Sequence, residues 1–302
     1  MKALQKEIQT GNIPLDQIEV VKANGELVPF VPEKVMRSLI NSGADESQAR
    51  EILNAIITEL EPGISTKQIY KKAFHLLKKN SAHLAARYNL KNAIMQLGPS
   101  GYPFEKYIGE ILRFQGYSTE VGQIVEGHCV NHEIDVIAEK DNHHFMIECK
   151  YHNTQGINSD VKIPLYIYSR FKDVEEQWLK LPGHGRKFHQ GWVVTNTRFS
   201  QDAIQFGTCR GMKLISWDYP AKESLKEMID RLGLYPITCL TSLTQLEKRS
   251  LLDNKVVLCS ELCQDNKLLE NLGLKSSRIK AVMNEGMQLC KRIIHQGKHK
   301  QV

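Results

Sequence analysis

Charged and apolar residues alternate along residues 132–150, with a short polar interruption in the middle. Successive side chains of a β-strand point to opposite faces, so this alternation predicts two strands joined by a turn. Glu133 and Asp135 then share one face of the first strand. Glu148 and Lys150 share one face of the second strand. The pattern therefore predicts a hairpin with acids and a lysine on one side and apolar residues on the other.

This combination of residue types is suited to phosphate chemistry. Two carboxylates a few ångströms apart repel each other, and a divalent cation removes that cost. A lysine beside such a cation can orient a water molecule and offset the charge that builds on a phosphate. The hairpin alone also fits a solvated strand face with cross-strand ion pairs, and its pattern leaves both interpretations open.

The order of the residues, Asp135 before the turn and Glu148-x-Lys150 after it, resembles the active-site motif of the PD-(D/E)xK nucleases. The surrounding sequence resembles the Mrr-type restriction endonuclease branch. A helix beginning near Phe104 precedes the hairpin, and an apolar segment at 189–197 follows it as a buried strand. The resemblance implies a restriction-endonuclease-like α/β core.

The same resemblance implies hydrolysis of DNA with Mg²⁺ as the cofactor. Asp135 and Glu148 would bind the ion, helped by the backbone carbonyl of Cys149. Lys150 would position the attacking water. Glu105, on the helix before the hairpin, would complete the metal shell.

Two further positions bear on this resemblance. Ile134 stands where the name of the motif has a proline, a position that is tolerant in the family. Asp160 and Lys162 open the next predicted helix and are candidates for contact with the substrate.

The N-terminal region has the pattern of a hairpin followed by four helices. Asn24-Gly25 is a favoured hairpin turn because both residues accept positive φ. Pro32 suits the first turn of a helix, and apolar residues at helical spacing continue to about Leu97. The region 18–97 resembles an ATP-cone domain, in its hairpin and in the run Ala85–Leu90 of its last helix.

The ATP-cone resemblance implies a regulatory site for ATP or dATP. Lys22 and Lys34 match positions near the phosphates, and Val20 or Val21 lies near the base. The family usually has a second basic residue where this chain has Ala23. A cone that serves only as an oligomerisation or spacer module is therefore the alternative.

The C-terminal region has short helical patterns, among which Leu272-Gly273-Leu274 precedes a final helix that begins at Ser276. This arrangement resembles a helix-hairpin-helix fold, which offers backbone N–H groups to a DNA phosphate. Lys275, Arg278 and Lys280 would surround that contact. A leucine-rich helical cap used for packing or dimerisation is the alternative, and the basic tail 291–300 is expected to be disordered or to lie on a polyanion.

Composition sets the expected compartment and partners. The chain has 302 residues, a net charge of +6 and a sequence pI near 8.8, which suits a polyanionic partner. Seven cysteines without a Cys-x-x-Cys pair favour a reducing cytosol. No apolar run is long enough for a membrane span, and the first residues lack the apolar core of a signal peptide. Cys259 and Cys263, and separately His128, Cys129 and His132, have spacings that zinc ligands use, but packing is the preferred interpretation for both groups.

The sequence thus predicts a cytoplasmic multidomain protein of mixed α+β and α/β class. Its domains are an ATP-cone at 18–97, a nuclease at 102–220 and a helical domain at 223–295. The predicted function is a metal-dependent DNA endonuclease regulated by ATP or dATP, with DNA and nucleotide as partners, no membrane and a homo-oligomeric state. The alternatives are a non-catalytic, nucleotide-sensing DNA-binding regulator and a structural partner of ribonucleotide reductase.

Overall fold

The computed structural model describes residues 15–22 and 24–291. By their contacts these residues divide into two units. One contains the described residues up to Leu90 together with Leu240–Ser242, and the other runs from Lys91 to Cys239 and resumes at Leu243. Ala23 and the basic tail beyond Lys291, both part of the predictions above, lie outside the described residues.

The first unit is a short hairpin followed by helices, as the pattern predicts. Val20 pairs with Val28 across the antiparallel hairpin, and Gly25 occupies its turn with φ of 84°. Ser65 starts the third helix with a capping box, accepting a hydrogen bond from the backbone of Gln68. The elements are β1 (Glu19–Val21), β2 (Leu27–Pro29), α1 (Pro32–Asn41), α2 (Glu46–Ile57), α3 (Thr66–Asn80) and α4 (Ala82–Tyr88).

The last of the four predicted helices, expected to continue to about Leu97, is two helices in the structure. It breaks at Asn89, between α4 and α5 (Leu90–Ile94). The Asn89 side chain accepts a hydrogen bond from the Tyr70 hydroxyl at 2.7 Å. Asparagine has a low helix propensity, and this side-chain contact favours the break.

The second unit is built on a mixed sheet with strand order β3-β4-β5-β7-β9. The first three strands are antiparallel neighbours, whereas β7 runs parallel to β5 and to β9. The structure contains the predicted elements in the predicted order, which is a helix, a hairpin and a later buried strand. The elements are α6 (Tyr102–Phe114), β3 (Ser118–Glu126), β4 (Asn131–Lys140), β5 (His143–Lys150), β6 (Asn158–Ser159), α7 (Lys162–Trp178), β7 (Phe188–Thr195), β8 (Arg198–Phe199), α8 (Gln201–Cys209) and β9 (Lys213–Ile215).

The C-terminal segment is helical, as predicted, and apart from Leu240–Ser242 it belongs by its contacts to the same unit as the sheet. Buried Tyr107 of α6 donates its hydroxyl hydrogen to the carbonyl of Leu234 at 2.7 Å. The final helix ends at Cys290. The helices of this segment are α9 (Leu225–Leu232), α10 (Gln245–Asp253), α11 (Cys259–Gln264), α12 (Lys267–Glu270) and α13 (Ser276–Cys290). None of the described helices has the length and apolar composition that crossing a membrane requires.

Candidate active site

The Asp135 side chain is fixed to the neighbouring strand by a backbone N–H group. Its Oδ2 accepts a hydrogen bond from the N–H of Cys149 at 2.7 Å. This contact lies just beyond the pairing of Val136 with Ile147, where the register of β4 with β5 ends. The Asp135 carboxylate thus takes the place of a backbone carbonyl in the pairing of β4 with β5. This hydrogen bond holds Asp135 near Glu148.

Glu148 and Lys150 project from the same face of β5, as predicted from the alternation. Both are half-buried, whereas Ile147 and Cys149 are buried. In the parallel register with β7, Lys150 lies beside Thr195. The lysine is therefore at the carboxyl end of two adjacent parallel strands, where open α/β sheets commonly bind ligands.

Glu105 of α6 joins this acidic group. Its pKa is raised to about 7, first by burial and then by the charges of Asp135, Glu133 and Glu148. The structure therefore brings the predicted carboxylates close enough to repel one another. At neutral pH Glu105 is divided between its charged and neutral forms.

Arg170 of α7 is a residue of this site that the sequence analysis missed. Its Nη1 donates to Glu148 Oε2 at 2.8 Å, and its Nη2 donates to the backbone carbonyl of Glu133. The side chains of Arg170 and Glu148 are only 14% and 20% exposed. The arginine therefore ties the helix to both strands of the hairpin at the acidic end.

The two central carboxylates carry an electrostatic cost. Burial raises the pKa of Glu148 to about 7, and the charge of Asp135 adds to this shift while Arg170 opposes it. Burial also raises the pKa of Asp135, and the hydrogen bond from Cys149 opposes that shift. A cation between these groups would relieve the repulsion.

The donor set at this site is made of oxygen atoms. Asp135 and Glu148 offer carboxylates, and Cys149 offers its backbone carbonyl. The Cys149 side chain lies on the buried face of β5, opposite the face that carries Glu148 and Lys150, so its sulfur does not belong to this donor set. Among the described residues no three His, Cys, Asp or Glu side chains form a ready-made metal shell. Mg²⁺ commonly uses one or two carboxylates and retains several waters, so the oxygen donors here fit it.

One face of α7 extends from the carboxylates along the protein surface. Lys162, Tyr166 and Arg170 are spaced four residues apart and therefore share a face. The Arg170 guanidinium carbon lies 5.6 Å from the centre of the Tyr166 ring, and that tyrosine is 64% exposed. Asp160 accepts the backbone N–H of Lys162 at 3.0 Å, so it orders the beginning of this helix.

The first unit, called the hairpin-helical unit from here on, holds a cavity of about 240 Å³. Lys22 and Lys34 line it, together with the stacked rings of Tyr70 and Tyr88, whose centres are 4.9 Å apart. Val20 lines the cavity, whereas its neighbour at position 21 does not. Lys22 Nζ also forms an exposed ion pair with Glu26 Oε2 at 3.0 Å. The cavity thus contains both lysines that the ATP-cone resemblance points to.

The basic residues predicted around a C-terminal phosphate contact differ in their surroundings. Lys275 and Lys280 are exposed. Arg278 forms a two-point ion pair with Glu247, with N–O distances of 2.6 and 2.9 Å. Arg278 is therefore engaged within the protein, while the two lysines face solvent.

The segments with zinc-like spacing have structural partners. Cys259 is buried and its thiol donates to the carbonyl of Pro236 at 3.2 Å. His132 Nε2 lies 2.7 Å from Asp173 Oδ2, and the same carboxylate accepts the backbone N–H of Cys129 at 2.8 Å. Both arrangements agree with the packing interpretation.

Two family models match this chain. Residues 98–219 match the restriction endonuclease model of the Mrr catalytic type, and residues 235–290 match the AF1548-like C-terminal model. The first match contains the whole acidic site. The ATP-cone resemblance of 18–97 lies outside these two matches.

Similar proteins extend the comparison. An uncharacterized protein of Archaeoglobus fulgidus is 36% identical over 187 residues, which cover 60% of this chain and 99% of that protein. The crystal structure of AF1548, described as a protein of unknown function, superimposes with a TM-score of 0.53 at 33% identity. That match covers 63% of this chain and 98% of the AF1548 chain.

Proposed function

Because this chain belongs to the family of the Archaeoglobus fulgidus relative and its residues 98–219 match the restriction endonuclease model, we propose that it is a metal-dependent endonuclease that hydrolyses DNA phosphodiester bonds. The observation that carries the proposal is the meeting of Asp135, Glu148 and Lys150 at one end of the β4–β5 hairpin. The Asp135 hydrogen bond to Cys149 at 2.7 Å holds this arrangement.

The carboxylates of Asp135 and Glu148 and the carbonyl of Cys149 would hold Mg²⁺. When bound, the ion supplies Lewis acidity toward the scissile phosphate and lowers the pKa of a water. Asp135 is oriented for this role by its backbone hydrogen bond. Glu148 must turn an oxygen away from Arg170 or share that oxygen with it, because Nη1 lies 2.8 Å away.

Lys150 would position the attacking water and offset the charge that develops on the phosphate. In the metal-free protein, burial and the charges of Asp135, Glu133 and Glu148 raise the pKa of Glu105 to about 7. A bound cation would offset those charges, so Glu105 would complete the metal shell as a carboxylate. The exposed face of α7 with Lys162 and Tyr166 offers a path for the DNA backbone.

A plasmid-nicking assay tests this function directly. Supercoiled DNA is incubated with the full chain and Mg²⁺, and in parallel with a chelator. We expect nicked and linear products only with Mg²⁺, and we expect the Glu148→Gln variant to give none. Cleavage that persists in the variant at the wild-type rate would refute this site assignment.

A second function, nucleotide control of the nuclease, is supported by the cavity of about 240 Å³ in the hairpin-helical unit. Lys22 and Lys34 would contact the phosphates of ATP or dATP, and Val20 with the stacked Tyr70 and Tyr88 would contact the base. A change of oligomeric state is the simplest way for this ligand to act, since cutting both strands takes two active sites. A protein that binds DNA and nucleotide but cuts nothing in the assay would be a regulator instead.

A further inference from the structure

Three histidines meet at the end of the sheet opposite the acidic site. His144 of β5 and His189 of β7 are register partners on adjacent parallel strands, and His184 lies on the turn before β7. The ring centres are 4.7 Å apart for His144 and His184, 5.7 Å for His144 and His189, and 6.0 Å for His184 and His189. His144 is four residues before Glu148 on the same strand, so the cluster lies about 13 Å from that carboxylate.

The Nδ1 atoms of all three rings are buried and have no hydrogen-bond partner. A buried polar atom without a partner is costly, so three in one cluster require an explanation. His144 and His189 are 8% and 6% exposed. His144 and His184 also line a cavity of about 200 Å³, together with Glu139 and Trp178.

The opposite nitrogens of the two buried rings face oxygen acceptors. His144 Nε2 lies 2.9 Å from Glu139 Oε2, and His189 Nε2 lies 3.2 Å from the backbone carbonyl of His184. These contacts favour a proton on Nε2 and a lone pair on Nδ1. Metal-binding histidines are typically oriented in this way, with the second nitrogen donating to a carboxylate or a carbonyl.

We propose that His144, His184 and His189 bind one divalent transition-metal ion through their Nδ1 atoms, with Zn²⁺ as the ion best suited to imidazole ligands. An imidazole that binds zinc at about 2.1 Å has its ring centre about 3 Å from the ion, so three such rings in a tetrahedral arrangement have centres about 5 Å apart. The observed spacings of 4.7–6.0 Å are close to this geometry. The open cavity leaves the fourth position to water.

The site needs one adjustment to close. No three potential ligands among the described residues already surround a common point. The His184 ring is half-buried and lies nearly parallel to the His189 ring, at 11°, so it has to turn before all three Nδ1 atoms can reach one ion. Gly183 and Gly185 flank His184 in the sequence, and neither adds a side chain that would oppose this turn.

This inference does not rest on the proposed nuclease activity. The bound ion would connect β5, β7 and the turn between α7 and β7, and it would act as a structural link. Its donors are nitrogens, whereas those of the acidic site are oxygens, so the two sites differ in their preferred ions.

Calorimetric titration of the chelator-treated full chain with Zn²⁺, in excess Mg²⁺, tests the proposal. We expect the wild-type chain to bind one Zn²⁺ ion tightly. His184→Ala should weaken it by about 100-fold or more, because loss of a second-shell partner alone costs roughly 10–100-fold. Neighbouring, exposed His143→Ala is the matched control, and Glu148→Gln excludes binding at the acidic site. Both should retain the wild-type affinity.

Titration with Co²⁺ supplies a second readout, since a tetrahedral nitrogen site gives intense visible absorption. We expect this absorption in the wild type and in His143→Ala, and its loss in His184→Ala and in His144→Ala. Circular dichroism checks the fold of each variant. His184 is only half-buried and lies outside the sheet strands, so we expect His184→Ala to fold and to serve as the test even if His144→Ala unfolds. Absence of Zn²⁺ binding in the wild type, or binding that survives His184→Ala but not Glu148→Gln, overturns the proposal.

Discussion

Arg170 Nη1 lies 2.8 Å from Glu148 Oε2, so the carboxylate proposed to bind metal already has a cationic partner. The pair is mostly buried, and the second guanidinium nitrogen is anchored on the carbonyl of Glu133. The arginine thus compensates the acidic site when no cation is present.

Removal of this arginine should destabilise the metal-free protein. Arg170→Met leaves Glu148 buried without its partner, and breaking such a pair costs about 3 kcal/mol. We expect Mg²⁺ to restore part of the loss, because it replaces the missing positive charge. Urea unfolding of the variant with and without Mg²⁺ measures this, and exposed Lys172→Met on the same helix is the control. Equal destabilisation in both conditions would contradict the metal assignment.

Neutral replacement of the central carboxylates should abolish cleavage. Asp135→Asn and Glu148→Gln keep the shape of the side chains but remove the charge that holds a cation, so we expect rates lower by orders of magnitude. Glu126→Gln, an exposed acid at the end of β3, is the matched control and should cut normally. Initial rates on a plasmid substrate give the comparison. Wild-type rates in both site variants would place the chemistry elsewhere.

Lys150 should affect the rate much more than the affinity. One lysine among several phosphate contacts changes DNA binding modestly, whereas a group that orients water acts on the transition state. Lys150→Met should therefore bind DNA within a few fold of the wild type and cut it far more slowly. Fluorescence anisotropy gives the affinity and gel assays give the rate. Matching losses in the two measurements would reduce Lys150 to an ordinary phosphate contact.

The raised pKa of Glu148 should make metal-free stability depend on pH. Its pKa of about 7 in the folded protein lies above its ordinary value of 4.5, so the folded state binds the proton more tightly. The stability that this proton contributes is present below pH 4.5 and is lost as the pH rises through about 7. Glu148→Gln should therefore gain stability relative to the wild type as the pH rises. Denaturant unfolding in the presence of a chelator, repeated across this pH range, provides the test, and Glu126→Gln is the control. A stability difference between Glu148→Gln and the wild type that does not change with pH would be the contrary result.

Nucleotide binding should depend on Lys34. A ligand shifts a protein only by binding two of its states with different affinity, and a change of oligomer is the proposed pair of states. We expect ATP or dATP to bind at micromolar strength and to change the sedimentation coefficient, and we expect Lys34→Ala to weaken both effects. Exposed Lys71→Ala on α3 is the control. If neither nucleotide binds at millimolar concentration, the hairpin-helical unit is a structural module.

Local alternation was sufficient to predict the hairpin and the shared face of Glu148 and Lys150, because strand geometry fixes which side chains point together. It could not predict Arg170, which reaches the site from a helix 22 residues further along the chain. The spacing of Lys162, Tyr166 and Arg170 was a visible signal, but only the packing of α7 on the sheet shows where that face points.

Other features also depended on tertiary contacts. The helix break at Asn89 accompanies a hydrogen bond from Tyr70, 19 residues earlier in the chain. The histidine cluster has no spacing that marks it, because His144 and His189 meet through the parallel pairing of two strands. Sequence patterns describe each strand by itself, whereas the register between strands brings these rings together.

The buried hydrogen bond from Tyr107 to the carbonyl of Leu234 joins a helix of the nuclease match to the segment just before the C-terminal match. A recombination event that exchanged the C-terminal segment alone would leave the Tyr107 hydroxyl packed against a segment that evolved with a different α6. The two matched segments should therefore be inherited together. An engineer who exchanges one of them between relatives should move α6 with it.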